Sequence, residues 1–203
     1  MKTFRIALMI VAALAITSCE KDDNKKGGPS GGNGGGGGGS AGNHLTLDGK
    51  KTTLKAGVLE YYGTQDTVGL YNYDIALVST NLVEKNGELE PADSNFTFIY
   101  FELFTKDSGV NLPIGTYTYS QTEKDFSLTY AEIGTDVDTI WHYIPSGTFK
   151  VVQNSPVYEL SFSGTTFLGE AVSMYYKGNL YKEDESGSNI AAKMELRSKL
   201  RSE

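Results

Sequence analysis

The nine residues from Phe96 to Phe104, Phe-Thr-Phe-Ile-Tyr-Phe-Glu-Leu-Phe, constrain this chain more than any other stretch. Phe96, Phe98 and Tyr100 alternate with Thr97, Ile99, Phe101 and Leu103, so both faces of the extended segment are apolar. Such a run predicts a central β-strand covered on both sides.

The surrounding sequence supplies partners for that strand. His44-Leu45-Thr46-Leu47 runs into Asp48-Gly49, a strong hairpin signal, and a second strand is expected from Thr52 to Tyr62. Leu70 to Val78 alternates strictly, with Tyr71, Tyr73, Ile75 and Leu77 on one face. Asn86-Gly87 and Pro91 mark a loop, and Leu112-Pro113-Ile114-Gly115 turns into Thr116 to Tyr119. Further strands are expected over Phe126–Tyr130, Ile140–Tyr143, Gly147–Val151, Val157–Phe162 and Ala171–Tyr176. A strand and turn about every ten residues predicts an all-β domain over 44–182, most simply an antiparallel two-sheet sandwich. A closed, lipocalin-like β-barrel is the alternative. All 13 tyrosines and the single tryptophan lie at or beyond Tyr61, which agrees with sheet over helix. Residues 183–203 change character. Glu183-Asp184-Glu185 is polar, and Ser188 or Asn189 caps a predicted short helix to Leu200, with Ala192, Leu196 and Leu200 on one stripe.

Ahead of the domain the chain has a different purpose. Lys2 and Arg5 precede an uncharged run from Ile6 to Ile16, the basic and apolar regions of a secretory signal over residues 1–18. The run is too short to cross a bilayer, which takes about 20 residues. Residues 19–43 form a linker, in which eleven of the 16 residues from Gly27 to Gly42 are glycine. It cannot bury apolar surface and behaves as a coil.

Ile16-Thr17-Ser18-Cys19 resembles the lipobox of bacterial lipoproteins. The resemblance implies cleavage before Cys19, a diacylglycerol on its sulfur and an acyl group on its new amino terminus. At about 0.8 kcal/mol for each buried methylene, two or three acyl chains give a lasting anchor. Glu20-Lys21-Asp22-Asp23 is similar to the export signal of Bacteroidota lipoproteins, which implies display on the outer face of the outer membrane. Leu112 to Thr118, Gly147 to Val151, Tyr158 to Phe162 and Tyr176 to Leu180 are similar to turns in uncharacterised Bacteroidota surface lipoproteins. That likeness implies a β-domain and carries no active site.

Charge excludes one class of partner. The chain is net −7, and losing Lys2 and Arg5 with the signal leaves 16 basic against 25 acidic side chains. Nucleic-acid binding asks for a basic footprint instead. No cofactor motif occurs: Cys19 is the only cysteine, there is no His-Glu-x-x-His, and Gly-x-Ser-x-Gly spacing falls only within the glycine linker (28–32 and 38–42), where no strand precedes it to form a nucleophile elbow. Asp136 and Asp138 are the weak calcium candidates, and with His142 they are the material for an unrecognised hydrolase. Tyr61-Tyr62 and Trp141-His142-Tyr143 cannot hide all their rings on one face of a strand. Exposed aromatics beside polar loops stack on sugars or anchor proteins, so Trp141, Tyr143, Tyr61 and Tyr62 are the candidate ligand-binding residues. The expected function is therefore a lipid-anchored, non-enzymatic binding module for a glycan or a surface protein. A barrel carrying a small apolar ligand is the second reading.

Cys19→Ala should abolish acylation and release the protein from membranes, checked by detergent partition. Replacing Lys21, Asp22 and Asp23 with alanine should keep the acyl chains but remove protease accessibility on whole cells.

Overall fold

The computed structural model describes residues 42–65, 69–85, 88–135 and 141–186. The lipidation and export segment, Asp136, Asp138 and the expected C-terminal helix lie outside the described residues. Every regular element among the described residues is a strand. The first half contains β1 (His44–Leu47), β2 (Lys50–Thr53), β3 (Ala56–Gln65), β4 (Leu70–Val78), β5 (Leu82–Lys85), β6 (Glu88–Pro91) and β7 (Thr97–Thr105). The second contains β8 (Gly115–Tyr119), β9 (Ser127–Thr135), β10 (His142–Tyr143), β11 (Ser146–Gln153), β12 (Tyr158–Thr165), β13 (Ala171–Gly178) and β14 (Tyr181–Asp184).

Twelve of these strands form one mixed sheet in the order β14-β3-β4-β7-β9-β8-β11-β12-β13-β1-β2, with β10 added to β9. The small β5-β6 hairpin stands apart, where the sequence predicts only a loop. All pairings in the large sheet are antiparallel except β14/β3 and β8/β9. The second exception matters for shape. β8 and β9 are joined by only two residue pairs, Thr118↔Ser127 and Tyr119↔Leu128, so the sheet has two lobes either side of a short seam. It curls there into a half-barrel. Where strand spacing predicts two separate sheets, hydrogen bonds trace a single curled one, and its edge strands β14 and β2 do not pair to close a barrel.

The lobes meet across an apolar interior. Phe101 of β7 lies 4.7 Å from the Phe149 ring of β11 and 4.9 Å from Phe162 of β12. Ile75, Leu77, Ile99, Leu103, Leu128, Leu160 and Met174 fill the space around them. The strand expected from Thr52 to Tyr62 breaks at Leu54-Lys55, because the chain changes lobes there. Leu54 N donates to Asn43 O at 3.2 Å, prolonging the β1/β2 ladder, while Lys55 N donates to Val78 O at 2.8 Å and starts β3/β4.

One end of the half-barrel is closed by a loop that three buried tyrosines hold. Tyr73 donates to the carbonyls of Asp107 (3.1 Å) and Gly109 (2.7 Å), Tyr117 to Pro113 O (3.0 Å) and Tyr158 to Asn111 Oδ1 (3.2 Å). Buried hydroxyls must find acceptors, and here Tyr73 and Tyr117 find loop carbonyls and Tyr158 the Asn111 side chain. Burial raises all three phenol pKa values, that of Tyr158 to about 12.

β7 is not covered equally on its two sides. Ile99, Phe101 and Leu103 face the interior at 0% exposure, whereas Phe98 and Tyr100 on the other face are only half-buried. Phe101→Ala should therefore cost about 3–5 kcal/mol, as expected for a fully buried ring. Phe98→Ala should cost clearly less. Urea midpoints of the two variants check the difference.

Candidate ligand-binding face

Alternation places a second set of side chains on the outside of the five-strand lobe β14-β3-β4-β7-β9. Their register lines them up in rows across the strands. One row is Glu183↔Glu60↔Asp74↔Glu102↔Tyr130. The next is Tyr181↔Val58↔Ala76↔Tyr100↔Glu132↔Tyr143, and the third is Ala56↔Val78↔Phe98↔Gly134. The face thus grades from acidic, through tyrosine, to apolar.

The apolar end is built on a missing side chain. A Cβ on Gly134 would lie 2.5 Å from the Phe98 ring, so glycine lets that ring rest directly on the neighbouring strand. Phe98 then meets Phe96 at 6.2 Å and Trp141 edge-on at 5.4 Å. Trp141 is 48% exposed and forms the crest of this ridge. Beside it, Phe167 N donates to Tyr143 O at 2.8 Å and brings the β12–β13 turn alongside. Its tip holds Phe167 and Leu168, the most exposed large apolar residues described, at 79% and 74%. His142 fixes that turn: its Nδ1 lies 2.9 Å from Glu170 Oε2, which also accepts from Thr166 Oγ1 at 3.0 Å.

The middle row carries hydroxyls. The Tyr143 ring lies 5.4 Å from Tyr130, and its hydroxyl oxygen is 2.7 Å from that of Tyr119. Tyr130 donates to Glu132 Oε2, and Tyr100 stands edge-on to Tyr130 at 6.1 Å. Half-buried rings interleaved with acceptor oxygens suit a ligand that has both flat apolar faces and hydroxyl donors.

The acidic row is the electrostatic oddity. Like charges directly opposite on neighbouring strands are destabilising. Hydroxyls relieve part of this, since Tyr62 donates to Glu60 Oε2 at 2.7 Å and Thr129 to Glu102 Oε2 at 2.8 Å. Among the described residues no group of three or more His, Cys, Asp or Glu is arranged to hold a metal ion. On the edge strand, burial above all, then the charges of Glu60 and Glu185, raise the Glu183 pKa from 4.5 to about 7.

The expected site residues divide. Trp141 and Tyr143 come together on the face just described. Tyr62 lies on the same side of the sheet but is buried beside Glu60, away from the ridge. Tyr61 turns inward, with its ring 5.2 Å from Tyr73 and 6.3 Å from Tyr71. The strand is irregular just beyond, where pairing skips from Tyr61 to Thr64 around Gly63 at φ 73°. The sequence identifies Phe96 and Phe98 as strand residues only, and identifies neither them, Glu170 nor the acidic row as site residues. Lone acids inside apolar strands (Glu60, Asp74 and Glu102) were the available signal, but their alignment needs the register. Comparison of the chain with protein families, curated proteins and solved structures returns no match.

The raised Glu183 pKa has a signed consequence. The folded state holds this proton more tightly than the unfolded chain, so its contribution favours folding at low pH and is lost as pH rises from about 4.5 to about 7. Glu183→Gln should remove that component. Urea midpoints across this range should fall less steeply with pH in the variant than in the wild type.

Proposed function

We propose that this protein is an acylated, surface-displayed binding module that captures glycans on the outer face of its five-strand lobe, without catalysis. The reading starts from Cys19 and the Lys21-Asp22-Asp23 signal, which specify an address, and from a linker that lets the domain range above a membrane. The observation that carries the ligand class is the half-exposed Trp141, propped edge-on by Phe98 and flanked by the paired hydroxyls of Tyr143 and Tyr119. An indole held rigidly at low entropic cost is a stacking platform for a sugar ring, and nearby hydroxyls and Glu132 are acceptors for its OH groups. The finer architecture we favour is a sandwich whose two sheets are fused at the β8/β9 seam.

Two other readings have less support. A carrier of apolar ligands needs an empty interior, but Tyr73, Phe101, Tyr117, Phe149 and Tyr158 occupy this one. A depression at the closing loop, lined by Asp107, Val110, Asn111, Ile114 and Asn154, is open to solvent. For a hydrolase on Asp136, Asp138 and His142, only His142 is described, and its Nδ1 is engaged in fixing the Thr166–Glu170 turn.

A glycan array probed with the full mature chain tests the proposal, and an array with no ligand above background would overturn the glycan class. For any glycan bound, Trp141→Ala should weaken binding by at least about 2 kcal/mol, the scale of a hot spot, while leaving the melting temperature nearly unchanged. Unchanged affinity with a large loss of stability would show that the indole serves packing instead.

A further inference from the structure

The β12–β13 turn, Thr166-Phe167-Leu168-Gly169-Glu170, runs against the usual chemistry of turns. Turn tips are ordinarily Gly, Asn, Asp, Ser or Pro, chosen for backbone reasons and at ease in water. Here the tip is Phe167 and Leu168, 79% and 74% exposed. The rest of the turn is braced to hold them there. Thr166 N donates to Glu170 O and Gly169 N to Thr166 O, both at 2.9 Å, and Glu170 N donates to Thr166 Oγ1 at 3.1 Å. From outside, the Tyr143 carbonyl accepts from Phe167 N, and His142 lies against the Glu170 carboxylate. The one charged side chain of the turn is therefore engaged at its base, and the tip is purely apolar.

Shape and tether decide what such a tip fits. Two side chains of this size offer at most about 500 Å², whereas each partner in a standard protein interface gives about 800 Å². A bilayer asks for no matching surface and takes protruding Phe, Leu and Trp side chains into the boundary between headgroups and acyl chains. Trp141, of the residue type favoured at that depth, lies two positions before Tyr143, whose carbonyl holds Phe167. The neighbouring β1–β2 turn brings positive charge for lipid phosphates. There Asp48 N donates to Ala171 O at 2.9 Å, and the exposed Lys50 and Lys51 follow that single acid. His44, where the domain begins, pairs with Tyr175, and from there to Ala171 along β13 is about 13 Å at strand rise. The chain from Cys19 to Gly42 reaches about 25 Å at random-coil scaling, so an acylated Cys19 and the tip can meet one bilayer. We infer that Phe167 and Leu168 insert into the lipid surface to which Cys19 ties the chain, with Trp141 at the level of the headgroups. The inference rests on the acyl anchor of the proposed function and is independent of its glycan. Two side chains give too little to hold a free protein on a membrane, but a tether keeps them at high effective concentration, so this contact orients the domain.

The single tryptophan and the single cysteine make the test direct. The full mature chain is joined through its Cys19 thiol to a maleimide-bearing lipid in phosphatidylcholine vesicles, and its emission is compared with that on vesicles brominated high on the acyl chains. The lipid is supplied chemically, so the result is separate from acylation in the cell, which detergent partition reads. Trp141 emission is expected to shift to the blue on tethering and to be quenched by the brominated lipid. Phe167→Ser/Leu168→Ser changes only exposed side chains, so it should keep the wild-type melting temperature and lose both signals. Wild-type emission that neither shifts nor is quenched would overturn the proposal and assign the tip to a protein partner. Shift and quenching that persist in the double variant would also overturn it, because the Trp141 ridge would then meet lipid without the turn.

Discussion

The Phe101 ring, held against Phe149 and Phe162, is the contact on which the rest of the molecule depends. No disulfide is possible with one cysteine, so the lobes are kept together by burial and by a seam of two residue pairs. Those pairs alone could not hold eleven successive strands in one curl. The aromatic triad does so from inside, and the Tyr73, Tyr117 and Tyr158 hydroxyls then fix the loop that seals one end. The outer face inherits its order from this interior. Once Ile75, Phe101 and Ala131 point inward, pleating sends Asp74, Glu102 and Tyr130 outward and into line.

Much of the fold was legible because turns and alternation are local. Asp48-Gly49 is a tight turn with φ of 46° and 79°, and the four residues that alternation groups on one face of β4, Tyr71, Tyr73, Ile75 and Leu77, all pack into the interior. What failed was non-local. Nothing near Leu54-Lys55 announces that the backbone leaves one lobe for the other, since the neighbours that divide it are Asn43 and Val78. Phe98 looks as apolar as Phe101, but which of them meets a second layer depends on how the sheet curls. Glu183 and Asp184 read as the start of a solvated tail, yet they complete a parallel strand on β3, a pairing that no spacing rule forecasts.

The candidate site was half legible for the same reason. Trp141 and Tyr143 drew attention because adjacent rings on a strand must part company, a local argument. Their support was invisible. Gly134 matters because of Phe98, and Phe98 matters because β7 and β9 pair Phe98 with Gly134. Tyr61 and Tyr62 obeyed the same local rule, but one ring went into the interior and the other under cover. Chemistry at a sheet surface is written in register, and register is set by the whole fold.

The pairing of β1 with β13 and of β14 with β3 has a consequence for how the chain comes into being. His44 lies opposite Tyr175, so the first strand to emerge during synthesis has no neighbour but its own hairpin until almost all the others exist. Val58 likewise waits for Tyr181. The domain therefore cannot be completed from its beginning, and contacts this distant in sequence are slow to form. A chain with this topology stays open for the longest part of its passage from the ribosome, and that is the state in which a polypeptide can be threaded through a narrow channel.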